Sequence, residues 1–297
     1  MQVFLAVAEF EGFAAAARHL NTSPASVTRA IARLEARLGA ALLQRSTRNV
    51  ALTEAGVAFR ADCTRIFQGV EDADASAKGL HAQVGGQVVL LLPALFSQHV
   101  MAPLLSRYLD LYPDISLVVH YHDRFPNMTE EGLDVAVWIG ELPASSLIAR
   151  PVGQVRHWVC ASPGYLDRHG EPRSPDDLEH HRLVATQVHR EWLFWDFCQD
   201  DHVQRIRGRA RLSCTTVQAA ITASIQGAGL IRCLSYPLYA EVAQGRLRRV
   251  LQAYELPALP VQVLYREGRK ASMRVRSVVD FMVEALREHP ALRPDVA

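Results

Sequence analysis

The chain has 297 residues, enough for about two domains, and its 49% hydrophobic and 21% charged residues are typical of a globular protein. This balance excludes a disordered or fibrous chain. The net charge of +1 favours no class of partner, and the sequence has no apolar run of about 18 residues, the length that would predict a membrane span.

The cysteines and the N-terminus indicate the compartment. There are five cysteines and no C-x-x-C pair, which suits a reducing environment and gives no disulfide or zinc framework. The first residues lack a basic segment and soon meet Glu9 and Glu11, unlike a signal peptide. We therefore expect a cytoplasmic protein that makes no membrane contact.

The first 52 residues are basic and predict three helices. They carry six arginines against three glutamates, a net charge of +3. Apolar residues from Val3 to Phe13 predict a first helix, and 14–20 a short second one. Ser23 is a suitable N-cap, with Pro24 at the first helical position of the third helix. Its apolar face is formed by Val27, Ile31, Leu34 and Leu38, and Gly39 ends it.

Two short helices joined by a tight polar turn are typical of a helix-turn-helix, whose second helix enters the major groove of DNA. Small residues at the start of the third helix permit close approach to base edges, and Arg29 can reach a guanine or a phosphate. The alternative is that Arg29 and Arg33 are merely solvated. The predicted DNA-contacting residues of this helix are Ser23, Pro24, Ala25, Ser26, Thr28, Arg29 and Arg33.

Residues 42–52 predict two short strands around a polar tip, which is the pattern of a wing. Arg45, Thr47 and Arg48 would contact phosphates or the minor groove there. Thr53 is placed to cap the next helix, with Glu54 at its positive end.

That next helix carries a heptad-like apolar seam. A seam of this kind needs a partner helix, and we expect it from a second copy of the chain. Packing against the chain's own body is the alternative. Because Cys63 falls in the seam, we expect it to pack rather than to react. The seam residues are Phe59, Cys63, Ile66, Val70, Ala73, Ala77 and Leu80.

Together these segments resemble the LysR-type transcriptional regulators. The likeness rests on Ala16-Ala17 before Leu20, on 23–29, on Ile31-x-x-Leu34-Glu35-x-x-Leu38-Gly39, on Leu43-x-Arg45 and on Leu52-Thr53-Glu54-Ala55-Gly56. Downstream stretches such as YPDISLVVHYHD, CASPGYLDRHG and RVRSVVDFMVEALRE extend it over essentially the whole chain.

The resemblance implies the fold and the domain organisation. We expect a mainly α winged helix-turn-helix domain over 1–52, a linker and dimerisation helix over 53–81 and a hinge over 82–87. A two-lobed α/β effector domain that resembles periplasmic binding proteins would cover 88–297. Lobe I would be 88–160 with 262–297, and lobe II 161–261.

The family likeness also implies partners, and two departures from it matter. Double-stranded promoter DNA, a homo-oligomer (dimer or tetramer) and RNA polymerase are the expected partners. Family members usually have more residues before the first helix, so we expect either an internal start at Met1 or a short first helix. Pro24 replaces a glutamine that reads a base in many members, whereas Arg29 matches the family's recognition-helix arginine.

Alternating strands and helices in the body predict mostly parallel sheets with helices on both faces. We expect strands at 88–92, 115–121, 134–139, 182–185, 230–234 and 261–266, and helices at 97–111, 127–133, 216–226 and 272–288. Crossover strands near Cys160 and Val261 would join the lobes.

Ligands of open α/β sheets bind beyond the carboxyl ends of the strands. Hydroxyls and amides there would suit a small, anionic effector, with no other cofactor and no metal. For Ser97, Thr215 and Thr216 the alternative is plain N-capping. The candidate effector-binding residues are Phe96, Ser97, Gln98, Gly140, Glu141, Thr186, Gln187, Thr215 and Thr216.

Other signals favour no further site. The arginines of RIRGRAR (205–211) predict the solvent face of an antiparallel strand, and the histidine pairs lack the neighbours of a metal site. No catalytic or nucleotide-binding motif occurs, so we expect no enzyme. Two alternatives stay open: an enzyme or solute binder with a nucleic-acid head, which ligand turnover would reveal, and a DNA-architectural protein without effector. A ligand-dependent footprint would exclude the latter.

Overall fold

A computed structural model describes residues 1–45, 50–77, 84–186, 192–200, 202–266 and 271–293. The chain divides into two compact units, Met1–Gln83 and Val84–Ala297, here called the head and the body. The predicted hinge at 82–87 partly lies outside the described residues. Its last two residues, Gly86 and Gln87, belong to a strand instead, because they pair with the neighbouring strand at Ile115 and Ser116.

The head has the predicted order of elements. Helices α1 (Gln2–Glu9), α2 (Phe13–His19) and α3 (Pro24–Leu38) precede the antiparallel hairpin of β1 (Leu43–Arg45) and β2 (Val50–Leu52), and α4 spans Glu54–Ala77. Phe13 starts α2 rather than ending α1, because the chain turns between the two helices.

One apolar core holds the head together. The predicted apolar face of α3 is confirmed for Val27, Ile31 and Leu34, which are buried. Leu38 is 40% exposed, because α3 ends there and Gly39 turns the chain away in the left-handed conformation (φ +67°). The buried core residues are Phe4, Ala6, Val7, Ala16, Ala17, Val27, Ile31, Leu34, Leu42, Leu43 and Cys63.

The strands of the body follow in chain order. They are β3 (Gly86–Leu92), β4 (Ile115–Tyr121), β5 (Val135–Ile139), β6 (Ile148–Val155), β7 (His157–Ala161), β8 (Leu183–Ala185), β9 (Trp192–Gln199), β10 (His202–Ser213), β11 (Leu230–Leu234), β12 (Arg248–Val250) and β13 (Leu259–Tyr265).

The described strands of the body form two sheets, one per lobe. The lobe I sheet has the order β4-β3-β5-β13-β6, and the lobe II sheet has the order β12-β7-β11-β8-β10-β9. The chain therefore crosses at Arg156, not after Cys160, and returns to lobe I at Leu259, not at 262, because all of β7 pairs in lobe II and all of β13 in lobe I.

Both sheets are mixed, which corrects the prediction of mostly parallel ones. Parallel pairs join β3 to β4 and β5, and β8 to β10 and β11. The pairs β5–β13, β13–β6, β7–β11, β7–β12 and β9–β10 are antiparallel. The reason is topological, since β13 returns from lobe II and β9 joins β10 by a short turn.

Helices cover these sheets. A continuous helical segment begins with α5 (Ala94–Phe96), passes through a π-helical turn (Ser97–Met101) and ends as α6 (Ala102–Leu111). The others are α7 (Pro163–His169), α8 (Val217–Ile225), α9 (Ser235–Ala243) and α10 (Met273–Glu288), with 3-10 turns at Pro175–His180, Gln252–Tyr254 and Pro290–Leu292.

The predicted helix at 127–133 is a series of turns. The Asn127 side chain accepts the amide of Glu130 (3.3 Å), and Gly132 has φ +64°, so local bonds replace a helix. By contrast, the RIRGRAR arginines on β10 are exposed, as predicted. In the described part of the body and head, no helix is long and apolar enough to cross a membrane.

Candidate DNA-binding surface and effector cavity

The start of α3 is built by its own cap. Ser23 Oγ accepts the amide of Ser26 (3.2 Å), and Pro24 occupies the first turn, as predicted. The hydroxyls of Ser23 and Ser26 lie 2.9 Å apart, and Thr28 Oγ1 donates to the carbonyl of Pro24 (2.9 Å). The first turn therefore presents a small hydroxyl-bearing surface with Ala25 exposed beside it.

The guanidinium groups follow on the same exposed side. Arg29 and Arg33 are exposed, opposite the buried Val27 and Ile31. Arg29 Nη2 donates to Ser26 Oγ (3.4 Å), which holds the arginine over the first turn. The structure thus gathers the predicted α3 residues on one face, whose donors match base edges and phosphates.

The wing is fastened to α3 and α4. Glu35 Oε1 accepts the amides of Leu42 (2.8 Å) and Leu43 (3.2 Å). Thr53 Oγ1 donates to the carbonyl of Ala41 (2.7 Å) and accepts the amide of Gly56 (2.9 Å), so it caps α4 as predicted. Thr47, Arg48 and the side chain of Arg45 lie outside the described residues.

The seam of α4 divides into two parts. Cys63 is fully buried in the head core, and Phe59 packs there with its ring 5.4 Å from that of Phe4. The prediction that Phe59 and Cys63 contact a second copy is therefore wrong, because both pack in the core of the head, where α1 covers them. Ile66 (49%) and Val70 (53%) are exposed and remain candidates for a partner helix. Leu80 and the side chains of Ala73 and Ala77 lie outside the described residues.

A cavity of about 600 Å³ lies between the two lobes of the body, within the range of small-molecule sites. From lobe I it is lined by Pro93, Leu95, His122, Asp123, Val137, Trp138, Ile139 and Leu259. From lobe II it is lined by His157, Val184, Ala185, Thr186, Leu193, Phe194, Trp195, Val217, Arg232, Cys233, Leu234 and Tyr236.

Arg232 supplies the positive charge of this lining. Its Nη2 donates to the carbonyl oxygen of Asp196 (3.0 Å), and its guanidinium lies 5.9 Å from the ring centre of Phe197. Partial burial lowers the pKa of Arg232, but an arginine stays charged at neutral pH. The Asp196 carboxylate is held by two bonds from Arg205 (2.6 and 3.0 Å), which lower its pKa.

The other titratable groups of the lining differ between the lobes. Burial, helped by the nearby Arg232, lowers the pKa of His157 to about 4, so this imidazole is neutral at pH 7. In lobe I, Asp123 is exposed. His122 Nε2 lies 2.7 Å from Glu131, and this bond lowers the pKa of the Glu131 carboxyl.

Of the nine predicted effector residues, Thr186 lines the cavity. Gln187 lies outside the described residues. The other seven are not among the residues that line this cavity: Phe96, Ser97, Gln98, Gly140, Glu141, Thr215 and Thr216.

Local contacts explain these positions, and the effector-binding role of the seven residues stays a prediction. Phe96 is buried behind Tyr236, with ring centres 5.3 Å apart, and the amide of Ser97 is already bonded to the carbonyl of Pro93 (2.9 Å). Thr216 caps α8 by accepting the amide of Ala219 (3.2 Å), which confirms its alternative reading. Thr215 is exposed beside it.

The remaining three residues lie on exposed or turning chain. Gln98 is exposed on the π-helical turn. Gly140 is bonded to the carbonyl of Pro260 (2.9 Å), and the carbonyl of Glu141 accepts Trp138 Nε1 (3.0 Å).

Sequence reasoning missed the charged lining residues. Arg232 interrupts the apolar strand Leu230–Leu234, and a lone arginine in a buried strand is a usable signal. His122 and Asp123 directly follow β4, the position where ligands of α/β sheets bind. Among the described residues, no group of three or more His, Cys, Asp or Glu side chains is placed to hold a metal ion.

Two family models match the chain. The helix-turn-helix of bacterial regulatory proteins of the lysR family matches residues 1–57, and the LysR substrate binding domain matches residues 81–287. A solved structure of CrgA, a LysR-type transcriptional regulator from Neisseria meningitidis, is similar with a TM-score of 0.61 and 28% identity, over 96% of this chain and 97% of that one.

Relatives match over nearly the full length. An HTH-type transcriptional regulator of Xanthomonas campestris is 33% identical over 96% of this chain and 84% of its own. The HTH-type transcriptional activator AaeR of Escherichia coli is 30% identical over 96% and 92%. The chain therefore belongs to the LysR family of transcriptional regulators, which bind DNA through the helix-turn-helix and respond to an effector in the substrate-binding domain, and are not enzymes.

Proposed function

We propose that α3 reads promoter DNA in the major groove through Ser23, Ser26, Thr28, Arg29 and Arg33. The observation that carries this proposal is the exposed face of α3, on which hydroxyls of the capped first turn adjoin two guanidinium groups. Arg29 is the specificity residue, because a guanidinium over a short first turn can reach a guanine with two bonds. Pro24 and Ala25 permit close approach, and the wing residues Arg45, Thr47 and Arg48 bind the DNA backbone.

The regulator acts as an oligomer, and we assign the dimer contact to the outer part of the α4 seam. Ile66 and Val70 are apolar, exposed and one helical turn apart, which suits pairing with α4 of a second copy. Two heads then occupy successive major grooves, and dimers combine on an interrupted, roughly palindromic site.

The effector is a small anion bound at Arg232 in the cavity between the lobes. The charged guanidinium of Arg232 in the cavity lining supports this assignment. An effector changes promoter binding only if it favours one arrangement of the subunits, so occupancy of the cavity shifts that equilibrium. The shifted arrangement alters the DNA footprint and the contact with RNA polymerase.

Footprinting on the DNA upstream of the protein's own gene tests the α3 assignment, with excess nonspecific competitor. Wild type protects one discrete interrupted site. Arg29→Ala lowers the ratio of specific to nonspecific affinity about tenfold or more, since one bidentate base contact is lost. The matched control is Arg37→Ala, an exposed arginine in the last turn of α3. It keeps this ratio, and sedimentation shows both variants with wild-type oligomer size. Unchanged discrimination in Arg29→Ala rejects the assignment.

A further inference from the structure

The charges that line the cavity are divided between its two walls. Arg232 comes from lobe II, in the middle of β11, and Asp123 comes from lobe I, after β4. Among the described residues that line the cavity, Arg232 is the one arginine and Asp123 is the one residue with a carboxylate. A ligand between the lobes meets an attractive charge for an anion on one side and a repulsive one on the other.

Arg232 has N–H donors with which it can bind a carboxylate. A guanidinium has five N–H donors, and the structure gives one nitrogen, Nη2, to the carbonyl of Asp196. The neighbouring Asp196 carboxylate accepts its two hydrogen bonds from Arg205, and it interacts with Arg232 through charge alone. Because Arg232 is also partly buried, a planar carboxylate that binds it gains more than it would in water.

The surroundings of Arg232 suit a flat apolar body. Phe194 lines the cavity and is 52% exposed, so its ring is open to a ligand. Across the cavity, Leu95, Ile139 and Leu259 add apolar surface. An aromatic ring placed there removes the Phe194 ring from water and stacks on it.

We propose that the cavity selects aromatic molecules that carry one carboxylate, with Arg232 binding that carboxylate, Phe194 packing on the ring and Asp123 rejecting a second anionic group. This inference rests on the proposed effector role of the cavity. His157 adds no positive charge at neutral pH, so it does not offset Asp123 toward a dianion.

Three probes with one ring system test the proposal by calorimetry on the full-length protein. They are 2-naphthoate, its neutral amide 2-naphthamide, and 2,6-naphthalenedicarboxylate. We expect 2-naphthoate to bind at least about tenfold more tightly than either of the other two. Octanoate, an aliphatic monocarboxylate, should also bind more weakly. Equal or tighter binding of the amide, the dianion or octanoate overturns the proposal.

Variants separate the two charges. Arg232→Gln removes the preference for naphthoate over naphthamide, whereas Asp123→Asn keeps that preference and reduces the difference in affinity between naphthoate and the dianion, because the repulsive charge that a second carboxylate meets is gone. The matched controls are Arg211→Gln and Asp110→Asn, both exposed residues of the body outside the lining. They should change neither ratio.

The outcome is distinguishable from failure of the proposed function. Each variant's melting temperature reports its fold, and the promoter footprint reports DNA binding without any ligand. A protein that melts normally and protects its site but binds none of the probes overturns the inference and leaves the DNA-binding assignment standing. A protein that keeps the preference for naphthoate but protects no DNA site supports the inference about the cavity and rejects the DNA-binding assignment.

Discussion

The recognition helix and the effector cavity gather their functional residues in different ways. In the head, the residues proposed to read DNA lie on the 15-residue helix α3 and at its N-cap, Ser23, and their common face follows from helical spacing. In the body, the lining residues come from positions between Pro93 and Leu259 on both lobes. A local repeat fixes the first surface, whereas the second exists only after the sheets have formed.

The comparison shows where a functional surface is robust. On α3, the reading face is supported by a cap within one turn and by a core on the opposite side. In the cavity, Arg232 depends on a carbonyl contributed by another strand, at Asp196. Substitutions that disturb the packing between neighbouring elements of the head should therefore destabilise the whole head. A change of charge in the cavity of the body should alter ligand binding at that position alone.

The largest expected loss of stability is at Gly56, where α4 packs closely against the backbone of Leu42. A Cβ at this position would lie 2.0 Å from the carbonyl oxygen of Leu42, a backbone atom that the wing holds in place. Gly56→Ala should therefore destabilise the head by about 3 kcal/mol, because the hairpin must move away from α4. Thermal unfolding followed by circular dichroism measures this loss of stability. The transition that added DNA shifts to higher temperature is the unfolding of the head.

Gly69 provides the matched control within the same helix. A Cβ there meets nothing within 4 Å, so Gly69→Ala should raise stability by about 0.5–1 kcal/mol through helix propensity. If both alanines have the same small effect, close approach of the wing to α4 does not explain the glycine in the Leu52–Gly56 motif.

These results bear on what the sequence predicts. Periodicity and caps located α1 to α4 and the wing, because each depends on neighbours a few residues away. The direction of β13 and the lobe boundary at Arg156 depend on which sheet a strand joins, which periodicity does not encode. Thr186 is predictable because it directly follows the strand at 182–185, whereas the place of Arg232 in the cavity lining depends on how the two sheets come together.

The seam of α4 offers a second test, since one repeat serves two surfaces. Phe59→Ala should destabilise the head by about 2–3 kcal/mol, because the half-buried ring packs against Phe4 in the core. Ile66→Ala should leave the unfolding of the head nearly unchanged, because this side chain is 49% exposed within the chain, and should weaken self-association instead. Chemical unfolding and sedimentation equilibrium separate the two quantities.

The reverse pattern would reject this division of the seam. Intact dimers in Ile66→Ala combined with Val70→Ala would indicate that the contact between copies lies elsewhere, and a stable Phe59→Ala head would remove the ring from the core.

A smaller effect than that of Phe59→Ala is expected in the body, from the partly buried imidazole of His157. Its pKa is about 4 in the folded protein, below the ordinary histidine value of 6.5. The unfolded chain therefore binds the proton more readily, and stability is complete above pH 6.5 and falls as the pH drops toward 4. Between pH 7 and pH 5 the wild-type body should lose about 1–2 kcal/mol through this group.

His157→Asn should lack that part of the loss in urea unfolding at the two pH values. His181 and His289, whose pKa values are also lowered by burial, are present in both proteins, so their contributions cancel in the difference. Because His157 belongs to the body, the difference must appear in the body transition, and an equal pH response of the two proteins would mean that the pKa of His157 is not lowered in the folded protein.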